Sequence, residues 1–309
     1  MKQRIVHIVA SLEWPTLFIL LICYAGWLVT TWLVSTGGYG YIALPTLIFL
    51  TTLHSSLQHE ILHGHPSRNR VFNETLIFPA LGLLFPYQRF RRLHLQHHNN
   101  ARLTDPLDDP ESFYLTRRRW HRLPRPARAV LRANNTFIGR LVLGPMLSVV
   151  GLIIRDQAAI RRGEDGILQA WLLHLPASLM VVGWLLLIDF PVHLYLVMIA
   201  YPAMSLLMVR TFAEHRAHRD PAARSIIITS GPVMSLLFLN NNLHAVHHEH
   251  PTAAWYDLPD RFRRDAAGFQ DRNQGYVFSG YWPLIRQYLL TPKEPVPHPL
   301  DATNRETAG

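Results

Sequence analysis

His59-Glu60-Ile61-Leu62-His63-Gly64-His65 closes an apolar segment and hands the chain over to a long arginine-rich region. Residues four apart on a helix lie on one face, about one turn from each other. His59 and His63 can therefore aim their imidazoles at a common point. Two further stretches, His94-Leu95-Gln96-His97-His98 and His244-Ala245-Val246-His247-His248, carry a denser pattern. In HxxHH three imidazoles share one helical side, yet the adjacent pair diverges by about 100°. That pair can serve two neighbouring metal ions while the first histidine shares with one of them. The HxxxH pair and the two boxes supply eight candidate ligands, and Glu214-His215 offers a ninth.

Composition sets the setting for these boxes. Of 309 residues, 17% are charged and 49% hydrophobic, the latter in long blocks, which is the profile of a membrane protein. The mean hydropathy of +0.07 leaves much of the chain outside the bilayer. A net charge of +9 could suit nucleic acid. However, the arginines flank apolar blocks, where the positive-inside bias and anionic headgroups account for them, and no nucleic-acid partner is expected. The single cysteine, Cys23, lies inside the first apolar block, so neither a disulfide framework nor a thiolate metal site is available.

Hydropathy along the chain predicts an all-α integral membrane protein with four transmembrane helices in two hairpins. The spans fall at about 14–35, 41–57, 167–188 and 192–209, each long enough for about 30 Å of hydrocarbon. The turns between them, near 36–40 and 189–191, carry no Lys or Arg, whereas 65–135 is rich in arginine. Both termini and all three histidine boxes are thus expected on the cytoplasmic side. Apolar stretches at 76–85 and 137–154 contain Pro79, Arg140, Gly144 and Pro145 and are expected to be interfacial or re-entrant. Residues 225–240, broken by Gly231-Pro232, suit a helix that dips into the membrane. One domain over 1–292 and a disordered, proline-rich tail over 293–309 complete the expectation.

Neutral imidazole suits iron, zinc and copper, and a nitrogen-rich site without thiolate suits two metals open to oxygen. Ligating histidines usually donate their other N–H to a carboxylate or carbonyl. Glu60, Glu214, Glu249, Asp105 and Asp257 are the candidate acceptors, while His54, His65, His218 and His250 read as structural neighbours of the boxes. Taken alone, HEILH also matches the HExxH of zinc metalloproteases, with Glu60 as general base. That reading predicts a single zinc and no role for His97 or His247. A histidine-rich transporter would place its ligands near the membrane midplane, not at one face.

The HEILHGH stretch, the two HxxHH boxes and their placement around two hairpins resemble the membrane-bound fatty acid desaturases and their hydroxylase relatives. Asn240-Asn241-Asn242 before the third box, with Pro251, Trp255-Tyr256 and Leu258-Pro259 after it, is similar to a bacterial branch of that superfamily. The resemblance covers about residues 40–260. It implies a non-haem di-iron centre held by His59, His63, His94, His97, His98, His215, His244, His247 and His248, with dioxygen as co-substrate. It implies fatty-acyl desaturation, or alternatively hydroxylation of an alkane, fatty acid or other lipid on the same scaffold, in a bacterial inner membrane. Relatives often place an Asn four residues before the histidine that follows the fourth span, where it holds a metal-bound water; here that position is Thr211. With no fused redox segment, electrons would come from a separate ferredoxin, rubredoxin or cytochrome b5-like protein with its reductase. Arg89, Arg91 and Arg92, just before the second box, are candidates to hold an acidic substrate head.

Overall fold

The computed structural model of the protein describes residues 12–37 and 40–300. Two long apolar helices, α1 (Trp14–Ser35) and α2 (Gly40–Leu62), form the first hairpin. A short α3 (Arg70–Leu76) follows, its first turn capped by the Asn69 side chain, which accepts from the amide of Phe72. The polar α4 (Tyr87–His98) bears the second box, and α5 (Arg117–Arg122) and α6 (Arg125–Asn134) carry much of the arginine. Then come α7 (Phe137–Arg161), α8 (Ile167–Leu187) and α9 (Val192–Thr211), the last with a π-helical turn at Leu196–Ala200. The third box lies on α11 (His244–Glu249), after α10 (Pro232–Leu237) and before α12 (Leu258–Arg264), α13 (Ala266–Arg272) and α14 (Tyr281–Tyr288). The described strands are one short parallel pair, β1 (Ile227–Ile228) on β2 (Val277–Phe278).

Apolar side chains of α1, α2, α8 and α9 build the main core, including Trp27, Leu47, Leu57, Leu185 and Ile199. Burial of such side chains contributes roughly 25 cal/mol per Å² where water is the alternative, but facing lipid the gain comes from packing and hydrogen bonds. Those bonds are present. Trp27 Nε1 donates to Tyr195 Oη at 2.8 Å, and Tyr195 Oη donates to the Leu81 carbonyl at 2.8 Å. Thr52 Oγ1 donates to the Ala203 carbonyl at 3.0 Å, and Ser56 Oγ to that of Leu237 at 2.7 Å. α2 is thereby pinned at the level where it delivers His59. α7 and α9 cross closely at Gly144, where a Cβ would stand 2.4 Å from Met208 Sδ and would require the Met208 side chain to move.

Four of the long helices occupy the expected spans, but the 137–154 stretch does not stay short. It forms a continuous 25-residue helix, and among the described residues five helices are long and apolar enough to cross a membrane. Arg140 does not break it, because its guanidinium folds back onto the Asn134 carbonyl, and the helix runs on through Pro145. Both ends of α7 nevertheless bond the histidine-bearing cap. Near its start the Ile138 amide donates to the Leu289 carbonyl; near its end Arg155 donates to the Pro110 carbonyl and Asp156 pairs with Arg89 of α4.

Three other expectations change in detail. Past Leu76, the 76–85 stretch tucks inward without helix: Leu81 is fully buried, and the Ala80 amide donates to Ala177 in α8. Residues 225–240 form β1 and the six-residue α10 rather than one dipping helix. The segment after Pro292 is packed on the cap as far as Leu300, with Val296 and His298 buried, because it finds backbone partners at Leu115 and Asn135. Residues 301–309, the rest of the expected tail, and Lys2 and Arg4 lie outside the described residues.

Candidate metal centre

All nine candidate histidines converge in the cap, in two groups. His59, His63, His94, His98 and His247 form one, and His97, His215, His244 and His248 the other, with ligand atoms in each group within 4.8 Å of one another. The helical spacing explains the division. His94 and His98, one turn apart, face the first group while His97 turns to the second; in α11 the roles reverse, with His244 and His248 in the second group and His247 in the first. Adjacent histidines therefore serve different groups, as the HxxHH spacing requires.

Within the second group His215 Nε2 lies 3.0 Å from both His97 Nε2 and His244 Nε2, and His244 Nε2 lies 3.1 Å from His248 Nε2. In the first group His247 Nε2 and His98 Nε2 stand 3.1 Å apart. Burial, then the neighbouring imidazoles, hold His63, His215, His244, His247 and His248 well below the ordinary histidine range, and His98 at about 3. These rings are neutral at physiological pH and present lone pairs. His63 Nε2 and His94 Nε2 are buried without a hydrogen-bond partner. Those two unpartnered nitrogens belong to the first group, and the two clusters of imidazoles together fit a pair of cations that accept nitrogen ligands.

The opposite ring nitrogens are held by a second layer of contacts. His97 Nδ1 meets Asp109 Oδ1 at 2.8 Å, and His94 Nδ1 meets Glu111 at 3.0 Å. Burial depresses His97, but the Asp109 hydrogen bond and the nearby carboxylates outweigh it and raise the group. His215 Nδ1 lies 3.3 Å from Ser225 Oγ. The buried Asn241 joins the two groups, its Oδ1 3.1 Å from His244 Nδ1 and its Nδ2 3.5 Å from His59 Nε2. Asp109, Glu111 and Asn241 are functional neighbours that sequence reading missed. The acidic run 108–111 after the second box and the three asparagines before the third were the available signals.

Of the expected acceptors, Glu214 is placed beside the site, 3.7 Å from His244 Nδ1 and paired with Arg210 at 2.7 Å. Glu60 is not. It points away from His59, accepts the Trp255 amide at 3.0 Å and stands 3.8 Å from His65 Nε2, while His65 Nδ1 bonds Glu13. Asp257 precedes α12, and Glu249 pairs with Arg272. Asp105 accepts the amides of Leu107 and Asp108 in its own turn. The Thr211 hydroxyl bonds no histidine among the described contacts; the amide between the groups comes from Asn241 instead. His54 bonds Tyr24, as a structural neighbour.

The arginines are also engaged. Arg89 is not available to a head group: it is buried and grips Asp156 through Nε and Nη2 at 2.8 and 2.6 Å, with Trp171 Nε1 on the same carboxylate. Arg92 donates to the Asp165 carbonyl. Arg91 lies 3.5 Å from Glu74, and Glu74 lines a cleft of about 750 Å³ walled by Leu21, Tyr24, Leu173 and Met180. A smaller cavity of about 280 Å³ has His97, His98 and His248 in its wall, with Asn100 and Arg272 at its edge.

The comparisons match this geometry. Residues 30–280 match the fatty acid desaturase family. The chain belongs to that family. It is also 23% identical, over 253 residues, to a beta-carotene ketolase of Paracoccus sp., an alignment covering 76% of this chain and 86% of the ketolase. The desaturase-family protein is an oxygen-dependent oxidoreductase of the membrane desaturase and oxygenase superfamily.

Proposed function

We propose that this desaturase-family protein holds one iron in each histidine group and oxidises an unactivated C–H bond of a membrane lipid. The observation that carries this reading is the convergence of nine imidazoles, five of them buried and four half-buried, in two groups without thiolate. Bound iron would supply the oxidising power that no side-chain acid or base has. The residues do the rest: the imidazoles ligate, and Asp109, Glu111 and Asn241 fix ring orientation. In desaturation, two substrate hydrogens with two donor electrons and two protons reduce dioxygen to two waters. In hydroxylation one oxygen atom enters the C–H bond and the other, with two donor electrons and two protons, leaves as water.

Fatty-acyl desaturation is the first reading. Oxygen insertion into a lipid without an acidic head is the second, favoured by the ketolase relative and by the engagement of Arg89 and Arg92 within the protein. On either reading the cap faces the cytoplasm of a bacterial inner membrane and a separate redox protein delivers electrons, with the His97–His98–His248 cavity as the natural water-side approach. The purified enzyme should carry about two irons per chain, and His247→Ala should retain about one or none. A single zinc indifferent to that substitution would sink the reading. Mass spectrometry of the product then separates a new double bond from an added oxygen.

A further inference from the structure

The segment Lys293–Leu300 crosses the cap and fastens two loops. Its backbone bonds both ways to Asn135: the Lys293 amide donates to the Asn135 carbonyl at 2.9 Å, and Asn135 Nδ2 donates to the Glu294 carbonyl at 2.8 Å. Farther on, the Leu115 amide donates to Val296, and the His298 amide to Leu115, each at 2.9 Å. The Lys293 side chain is only 5% exposed. Its ammonium donates to the backbone carbonyl of His215, pairs with the Glu294 carboxylate at 3.8 Å and lies 4.9 and 5.9 Å from the Phe113 and Phe212 rings. The carboxylate and the two aromatic faces compensate the buried charge, so the ammonium can stay at the His215 carbonyl. Glu294 accepts the Ala217 amide at 3.1 Å and the Tyr114 hydroxyl, which closes the same loop from its other side.

A second chain of contacts leads from the segment to the other loop. His298 Nε2 meets Thr104 Oγ1 at 3.3 Å, and the Thr104 amide donates to Asp109 Oδ2 at 2.7 Å. Asp109 is the carboxylate that holds His97. His97 and His215 both belong to the four-histidine group; His97 shares α4, and His244 and His248 share α11, with members of the five-histidine group, so His215 is the one ligand of its group that lies off a helix and depends on loop contacts for its position. We propose that Lys293–His298 is a strap that positions the four-histidine group selectively, with Lys293 as the positioning residue for His215. It acts through the backbone of a ligand and touches no reacting atom.

The proposal rests on the reading that each group holds an iron, and the test separates the two. Full-length enzyme is loaded with ferrous iron, and its release is followed against a chelator series, with thermal melting of the metal-free protein beside it. Wild type should hold two irons. Lys293→Met should keep one as tightly and release the other at about tenfold to hundredfold lower chelator, the usual range for losing a contact that orients a ligand. Its metal-free form should melt lower, because Glu294 loses its buried partner, so the strap is read from the selective release alone, followed below that melting temperature. Release of both irons as in wild type, or of both together, overturns the strap. If Lys293→Met does not fold, Tyr114→Phe, which removes one bond to Glu294 at nearly constant volume, must show the same selective release, and two irons held as in wild type overturn it. A wild-type chain with fewer than two irons overturns the two-iron reading itself.

Discussion

Asp109 follows His97 by 12 residues and meets it through one oxygen, while its other oxygen receives the Thr104 amide. The proton on His97 Nδ1 is thereby fixed, and Nε2 is left as the lone pair facing the second group. Asp109→Asn keeps the shape and one acceptor but weakens the hold on the ring. Iron affinity of the four-histidine group should fall by about tenfold to hundredfold, read by chelator competition, with the other iron unmoved. The ligands were readable because their spacing along a helix is covalently fixed, so sequence alone orients them. Asp109, Glu111 and Asn241 were not, because their contacts depend on the path of loops that no periodicity describes. Glu60 misled for the opposite reason: it neighbours His59 in sequence but turns by about 100° to the far side of the helix.

At the scale of elements, α4 works as a lever with the second box at one end and Arg89 near the other. Arg89 anchors it to Asp156 of α7, and both side chains are almost wholly buried, at 5% and 1% exposure. Removing one member of such a pair leaves an uncompensated charge, so Arg89→Met should cost about 3–5 kcal/mol in unfolding stability. The double substitution Arg89→Met with Asp156→Leu should recover most of that loss, whereas a head-group role would leave stability untouched by either change. A charged residue before a histidine box reads in sequence as a ligand for substrate. Its buried partner, 67 positions later, is visible only once α7 is folded against it. The same dependence on neighbours holds in α7, where the Arg140 guanidinium within an apolar stretch is satisfied by the Asn134 carbonyl.

Across the whole molecule, the hairpins, the cap and the nine converging histidines followed from hydropathy and spacing. The strap, the engaged arginines and the cleft required three dimensions. Exposed side chains of α1 and α8, among them Leu21, Leu173 and Met180, wall that cleft beside the inner end of α2. Thr75 also lines it and is exposed, so bulk can be added there without disturbing the core. If the cleft admits substrate, Thr75→Trp should lower turnover at least tenfold while iron content stays at the wild-type value. Unchanged turnover would place the substrate path elsewhere.

An opening between two lipid-facing helices also changes what concentration means for this enzyme. A molecule that enters sideways is never free in water, so its activity is its mole fraction among the surrounding lipids. In vesicles, adding inert phospholipid at constant total substrate should slow the reaction in proportion to two-dimensional dilution. Changing the aqueous volume at a fixed lipid ratio should leave the rate per enzyme unaltered. The bilayer would then be the compartment that meters supply to the active site.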